Sequence, residues 1–335
     1  MENETLCIGL CPELGGKILS FYEKEHGFEL AAQSGRVMRM PKEGEIPDFG
    51  DFAYGMDDAF PNINGEVFEW KGKNLHYPDH GEIWKKKLEV LSADRNSVQL
   101  YGIGAEFSYD YFKTMELEGD TLKISYRITN TGKEEFPCFW TWHGLIRYEE
   151  DAVLRFPKET TAFRNVLDSE RLGSCNTVYK AEPFGQAFMD GQNDCVLSDP
   201  AAGERGSVIR LRTADDSGIS YEFTALPARD SISWEKYYVE GRVTQGSCGM
   251  FYPAQGMCML LEYDADRLPY LGFWVTAGRL NGDYNCALEP TNGFYDGVGI
   301  AGRNGCLPVL KPCEEWKLTL RISLKGYDRN AKKEW

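Results

Sequence analysis

The sequence has no run of about 18 apolar residues, so no membrane-spanning helix is predicted. None of its 10 cysteines stands at C-x-x-C spacing, which removes the usual zinc and redox motifs. Cys138 in FPCFW and Cys258 in GMCML sit inside apolar runs, where a reduced thiol packs as a small hydrophobe. The N-terminal MENETLCIGL shows no basic segment followed by an apolar stretch, so no secretory signal is expected. Both features point to a reducing cytoplasm. Positive charge is also short, with 37 Lys and Arg against 52 Asp and Glu and a net charge of -15. Such a surface repels nucleic-acid backbones and anionic membranes, and leaves a neutral polar small molecule as the expected partner. The charge also serves plain solubility. Oligomeric state is not legible. An amphipathic helix longer than about three turns is missing too. The 35 glycines and 15 prolines recur too often to permit one.

A period of two dominates instead. Trp316 to Lys325 alternates apolar and polar residues without a break, as does Leu122 to Thr129. This spacing gives a strand with one buried face. Tyr111 to Leu117 precedes the second run across the turn-like Glu118-Gly119-Asp120, which predicts a hairpin. Leu88 to Leu91 with Val98 to Tyr101 predicts another, and Val208 to Arg212 with Tyr221 to Ala225 a third. Many short strands joined by Gly, Asp and Asn turns predict an all-β fold, a large antiparallel β-sandwich. No composition break divides the chain, so residues 1–335 are expected to form one domain. Its core runs over about 6–324, with polar loops near 35–50 and 165–205 and a polar tail at 326–335.

Several motifs carry less than they spell. Gly297 to Gly302 reads G-x-G-x-x-G, but a dinucleotide site needs that pattern between a strand and a helix. The short chain after it reads as loop and strand, so close backbone packing is its expected role. Ser247-Cys248 lacks the G-x-S-x-G elbow of a nucleophile and reads as a strand-end thiol. Lys85-Lys86-Lys87 reads as the solvent-facing start of a strand. The 4 histidines can be weighed one by one. His26 lies in a polar turn, and His76 precedes a Pro-Asp turn. His80 and His143 are each flanked by glycine and aromatics, in YPDHGEIW and FWTWHGL. Alone, each would serve as a hydrogen-bonded structural residue. Glu289 ends an apolar run before Pro290 and a turn, a place from which a carboxylate can point into a partly dry cleft. Alone it would be a cap or a surface ion pair. One His and one Glu in a shared cleft supply the acid and base of a proton-transfer site.

Five segments in order add context. They are Pro12-Glu13-Leu14-Gly15-Gly16-Lys17-Ile18, Gly55 to Asn62 (GMDDAFPN), Asp79-His80-Gly81-Glu82-Ile83-Trp84, Tyr126 to Asn130 followed by Trp142-His143, and Leu288-Glu289-Pro290 followed by Gly293. Together they resemble the galactose mutarotase-like superfamily, the aldose 1-epimerases and their relatives, over roughly residues 6–324. The resemblance implies a large sandwich of mainly antiparallel strands, in agreement with the period-two pattern. It implies that His143 is the general acid at a sugar's ring oxygen, Glu289 the general base at the anomeric hydroxyl, and His80 a sugar contact that supports the acid. No metal or cofactor is implied. Two features depart from the family. Gly144 stands where proline usually follows the second histidine, and the substrate-binding arginine has no clear match, Arg39 in VMRMP being the candidate. Asp58 is a candidate for sugar hydroxyls, or else caps a turn. Trp84, Trp142 and Trp274 lie beside the matched motifs, so each is a candidate sugar platform, with core packing as its plain alternative.

The implied activity is mutarotation of a free aldose by an isomerase. It requires His143 and Glu289 to face one another across one open cleft. The alternatives are a non-catalytic carbohydrate-binding protein on the same fold, a sugar-phosphate mutarotase, and a glycoside-cleaving relative. The second needs clustered Arg or Lys, which the sequence does not show. The third needs two carboxylates, for which Asp57 or Asp58 could join Glu289.

Overall fold

The computed structural model describes residues 1–36, 40–41, 47–181, 210–213 and 220–326. The period-two segments are strands. Trp316 to Lys325 lies within Glu315–Gly326, whose Leu318, Leu320, Ile322 and Leu324 are all buried. That strand is held between Thr121–Asn130 on one side and Met257–Tyr263 on the other. The hairpin Tyr109–Glu118 with Thr121–Asn130 forms in register Leu117 to Leu122, and Glu89–Ala93 pairs with Ser97–Ile103. Of the third predicted hairpin, Arg210–Thr213 pairs with Ser220–Glu222, and its remaining residues up to 219 lie outside the described ones.

These strands build two antiparallel sheets, of thirteen and eight strands among the described residues. Met56, Trp142, Ile146 and Leu288 of the larger sheet meet Met259, Leu261 and Ile322 of the smaller. An apolar cluster runs from Leu6 to Leu324 through this interface. Each large apolar side chain buried there contributes roughly 1.5–3 kcal/mol. The fold is therefore the all-β sandwich expected from the alternation.

Five neighbouring strands of the larger sheet position the site. In chain order they are β1 (Met56–Ala59), β2 (Thr141–Gly144), β3 (Ser233–Val239), β4 (Tyr270–Ala277) and β5 (Tyr284–Thr291). In space they lie as β1-β2-β5-β4-β3. Alternate residues of each strand point to the second sheet or away from it. The far side is called the outer face below.

Two local details go beyond the sequence reading. Gly297 to Gly302, expected to serve close backbone packing, enters a short α-helix, Val298–Arg303, and the chain after it is loop and strand as expected. Its Gly299 N–H already donates to the Glu66 carboxylate at 3.1 Å, and it follows no βαβ crossover. Lys85 does not open a strand but closes a turn of 3-10 helix, Ile83–Lys85. The cysteines, apart from Cys195 outside the described residues, are free thiols, and Cys138, Cys248 and Cys286 are buried.

Candidate active site

One row of residues crosses five strands on the outer face. Asp57 stands opposite His143 across β1 and β2. Thr141 stands opposite Thr291 across β2 and β5, and the same register two residues on sets His143 beside Glu289. Glu289 stands opposite Gly272, and Gly272 opposite Tyr238. His143 Nε2 lies 3.6 Å from Glu289 Oε1. The other oxygen of Glu289, Oε2, lies 2.7 Å from Lys236 Nζ. Asp296 Oδ1 is 3.3 Å from the same ammonium, and the Tyr238 hydroxyl donates to that oxygen at 2.6 Å. At the far end of the row, Lys17 Nζ lies 2.9 Å from Asp57 Oδ2 and donates to the carbonyls of Phe52 and Tyr54 at 2.5 and 3.1 Å.

Burial governs the charges, because it penalises the ionised form of each group. It pushes the Glu289 carboxyl up to about 7, with Lys236 pulling the other way and Asp296 adding to the rise. It pushes Asp57 up to about 6 against the pull of Lys17. His143 is driven below its usual range by burial first, then by His80, Lys236 and Lys17. The acidic partners of Lys236 outweigh its burial and raise its pKa, so it stays a cation. Near neutral pH these shifts leave His143 neutral and Glu289 in the middle of its titration.

His80 caps the pair from the turn after Asp79. Its backbone is left-handed, with φ 55°, and its ring lies edge-on to His143 at 4.9 Å. Phe49 stacks flat on His80 at 3.6 Å and stands edge-on to His143 at 5.2 Å. The expected open cleft is therefore closed: His143, Glu289, Lys236, Asp57 and Phe49 are all buried. A groove of about 490 Å³ lined by Glu66, His76, Tyr77, Glu82 and Lys85 shares no residue with this row.

The structure thus brings His143, Glu289 and His80 together and separates the other candidates. Asp58 is corrected to an inner-face position: its carboxylate lies 2.8 Å from Lys113 Nζ and accepts from the Tyr126 hydroxyl at 2.7 Å, both from the smaller sheet. Trp142 is corrected likewise, because it alternates with His143 and packs against Met259 and Leu261. Gly144 explains itself there: a Cβ would lie 2.3 Å from the Trp142 indole nitrogen, so neither proline nor alanine fits. Trp84 is buried beneath Phe49 and Phe52, and its indole N–H donates to the Asp79 carbonyl at 3.2 Å. Trp274 stands half-buried on the outer face, directly across from Lys236. Arg39 lies outside the described residues.

Lys236, Tyr238, Asp296, Lys17 and Phe49 were not among the sequence candidates. One signal was present: Trp234, Lys236 and Tyr238 share one face of a period-two run, and a lysine amid aromatics there is out of place on a buried strand. Glu23, Glu25 and His26 lie within metal-ligand reach of one another. The Glu23 oxygens, however, already take the N–H groups of Glu25 and His26 and face His26 Nδ1 at 3.0 Å.

Residues 234–324 match a family model described as a domain of unknown function (DUF4432), a span that holds Lys236, Tyr238, Glu289 and Asp296. No curated protein matches the sequence. Solved structures match over nearly the whole chain. A candidate aldose 1-epimerase of Escherichia coli K12 is 16% identical with a TM-score of 0.65, over 97% of this chain and 98% of that one. A galactose mutarotase related enzyme of Lactobacillus acidophilus is 14% identical at TM-score 0.64, over 98% and 97%. An aldose epimerase homologue of C. elegans is 13% identical at TM-score 0.58, over 97% and 97%. Similarity at these identities is one of fold.

Proposed function

Taking the galactose mutarotase-like fold as the premise, we propose that this chain opens and recloses the hemiacetal ring of a free aldose and so interconverts its α and β anomers. In ring opening the anomeric hydroxyl loses its proton to Glu289, the C1–O5 bond breaks as the C1 carbonyl forms, and His143 delivers a proton to the ring oxygen. Closure on the other face reverses each step. His80 contacts the sugar beside the ring oxygen and supports the acid. The observation that carries this reading is the 3.6 Å approach of His143 Nε2 to Glu289 Oε1. Lys17 and Lys236 are both engaged by carboxylates, which supports a neutral sugar over a phosphorylated one.

Proton exchange spectroscopy by NMR across a panel of free aldoses tests this. Glu289→Gln and His143→Asn each lower the exchange rate at least about a hundredfold, the usual size of one positioned acid or base. Near-wild-type exchange in both folded variants would sink the assignment. The closed site favours one second reading, a carbohydrate-binding protein without turnover, which would show as aldose binding with no anomer exchange. We also take residues 1–335 as one domain working in a reducing cytoplasm. The apolar cluster from Leu6 to Leu324 and the free buried thiols support this.

A further inference from the structure

Glu289 is gripped from one side only. Lys236 Nζ forms an ion pair with Oε2 at 2.7 Å, while Oε1 faces His143 Nε2 at 3.6 Å. The grip is itself anchored. Asp296 Oδ1 lies 3.3 Å from the ammonium, and Tyr238, two residues along the same strand and on the same face, donates to that oxygen at 2.6 Å. Gly272 on the strand between leaves room for this crossing. A Cβ there would lie 3.0 Å from Tyr238 Cζ and 3.3 Å from Glu289 Oε2.

We propose that Lys236 is a positioning residue for the exchange reaction: it clamps one carboxylate oxygen of Glu289 so that only the other is presented to His143 and the sugar. The catalytic half of this proposal rests on the function proposed above. The clamp itself does not.

The groups facing Glu289 are Lys236 and Tyr238 from β3, Asp296 from the segment after β5, and His143 from β2. His80 and Lys17 act on His143 from the turn and from beyond Asp57. Among these, the Lys236 charge lowers the pKa of Glu289 and of His143 alike. Its removal therefore moves both limbs of a bell-shaped rate profile to higher pH, whichever member of the pair holds the proton. A role limited to packing would leave both limbs in place.

The test uses the full chain with Lys236→Met, Lys236→Arg and Tyr238→Phe. For Lys236→Met, kcat at pH 7 falls at least about tenfold with KM within about threefold, and the profile moves up by about one pH unit. Lys236→Arg keeps the cation and holds the profile in place. Tyr238→Phe, which loosens the anchor, costs about threefold in kcat. A readout without sugar accompanies these. Carbon-13 NMR of glutamate-labelled protein follows the Glu289 carboxyl, its resonance identified by loss in Glu289→Gln. Its titration moves up in Lys236→Met and stays in Lys236→Arg. A folded Lys236→Met with unshifted titration and unshifted profile overturns the proposal. Should that variant fail to fold, a Tyr238→Phe protein with wild-type kcat and wild-type Glu289 titration overturns it instead. If the wild-type chain exchanges no aldose, the proposed function falls, and the carboxyl titration alone decides whether the clamp exists.

Discussion

Asp57 and Asp58 are consecutive on β1, equally buried, and each sits beside one buried lysine, yet they belong to different machines. Asp58 faces inward. Lys113 and the Tyr126 hydroxyl each hold one of its oxygens between the two sheets, and Lys113 also donates to the Gly16 carbonyl. Asp57 faces outward, shares its lysine with two backbone carbonyls, and stands in the row that leads through His143 to Glu289. The inner pair ties the layers together. Burial brings the titration of the outer carboxyls, Asp57 and Glu289, toward neutral pH. Shifted pKa values of this kind cluster at functional sites, which supports the proposed one.

The largest expected break of this comparison is Asp58→Ala. It leaves Lys113 buried without its carboxylate and lowers stability by about 3–5 kcal/mol, read by urea unfolding. The fraction that remains folded keeps its exchange rate. A loss of rate without loss of stability would place Asp58 in the site after all.

The outer face is expected to behave in the opposite sense. Glu289 has a folded pKa of about 7 against 4.5 when free, so the folded chain binds more protons than the unfolded one between those values. Stability from this group is present below about pH 4.5 and declines as the pH rises through 7. Glu289→Gln abolishes exchange yet flattens that decline, by on the order of 1–3 kcal/mol between pH 5 and pH 8. Parallel stability curves for wild type and variant would contradict the buried, raised carboxyl.

Smaller effects sharpen the same contrast. Asp57→Asn removes the corresponding decline between about 4 and 6 and lowers exchange by no more than about tenfold, since Asp57 stands one strand from the reacting pair. Trp274→Ala, on the outer face across from Lys236, raises KM by about threefold with kcat unchanged. Trp142→Phe, on the inner face of β2, leaves both constants within about twofold and is felt in stability instead.

Alternation along Leu122 to Thr129 and Trp316 to Lys325 was enough to specify strands and a sandwich, because side chains on a strand must point to opposite faces and the apolar ones must find a core. The order of the matched motifs points to His143, Glu289 and His80, and the structure places these three side by side. The periodicity cannot say which face of β1 or β2 is the inner one, so it leaves Asp58 and Trp142 open between site and core; the sheet packing turns both inward and Asp57 and His143 outward. Nor could the periodicity reveal Lys236, Tyr238 and Asp296. Thr141 and Thr291, whose pairing sets His143 beside Glu289, are 150 residues apart. A register between strands so distant is decided by the packing of the whole sheet, and that packing alone brings a lysine of β3 to the carboxylate of β5.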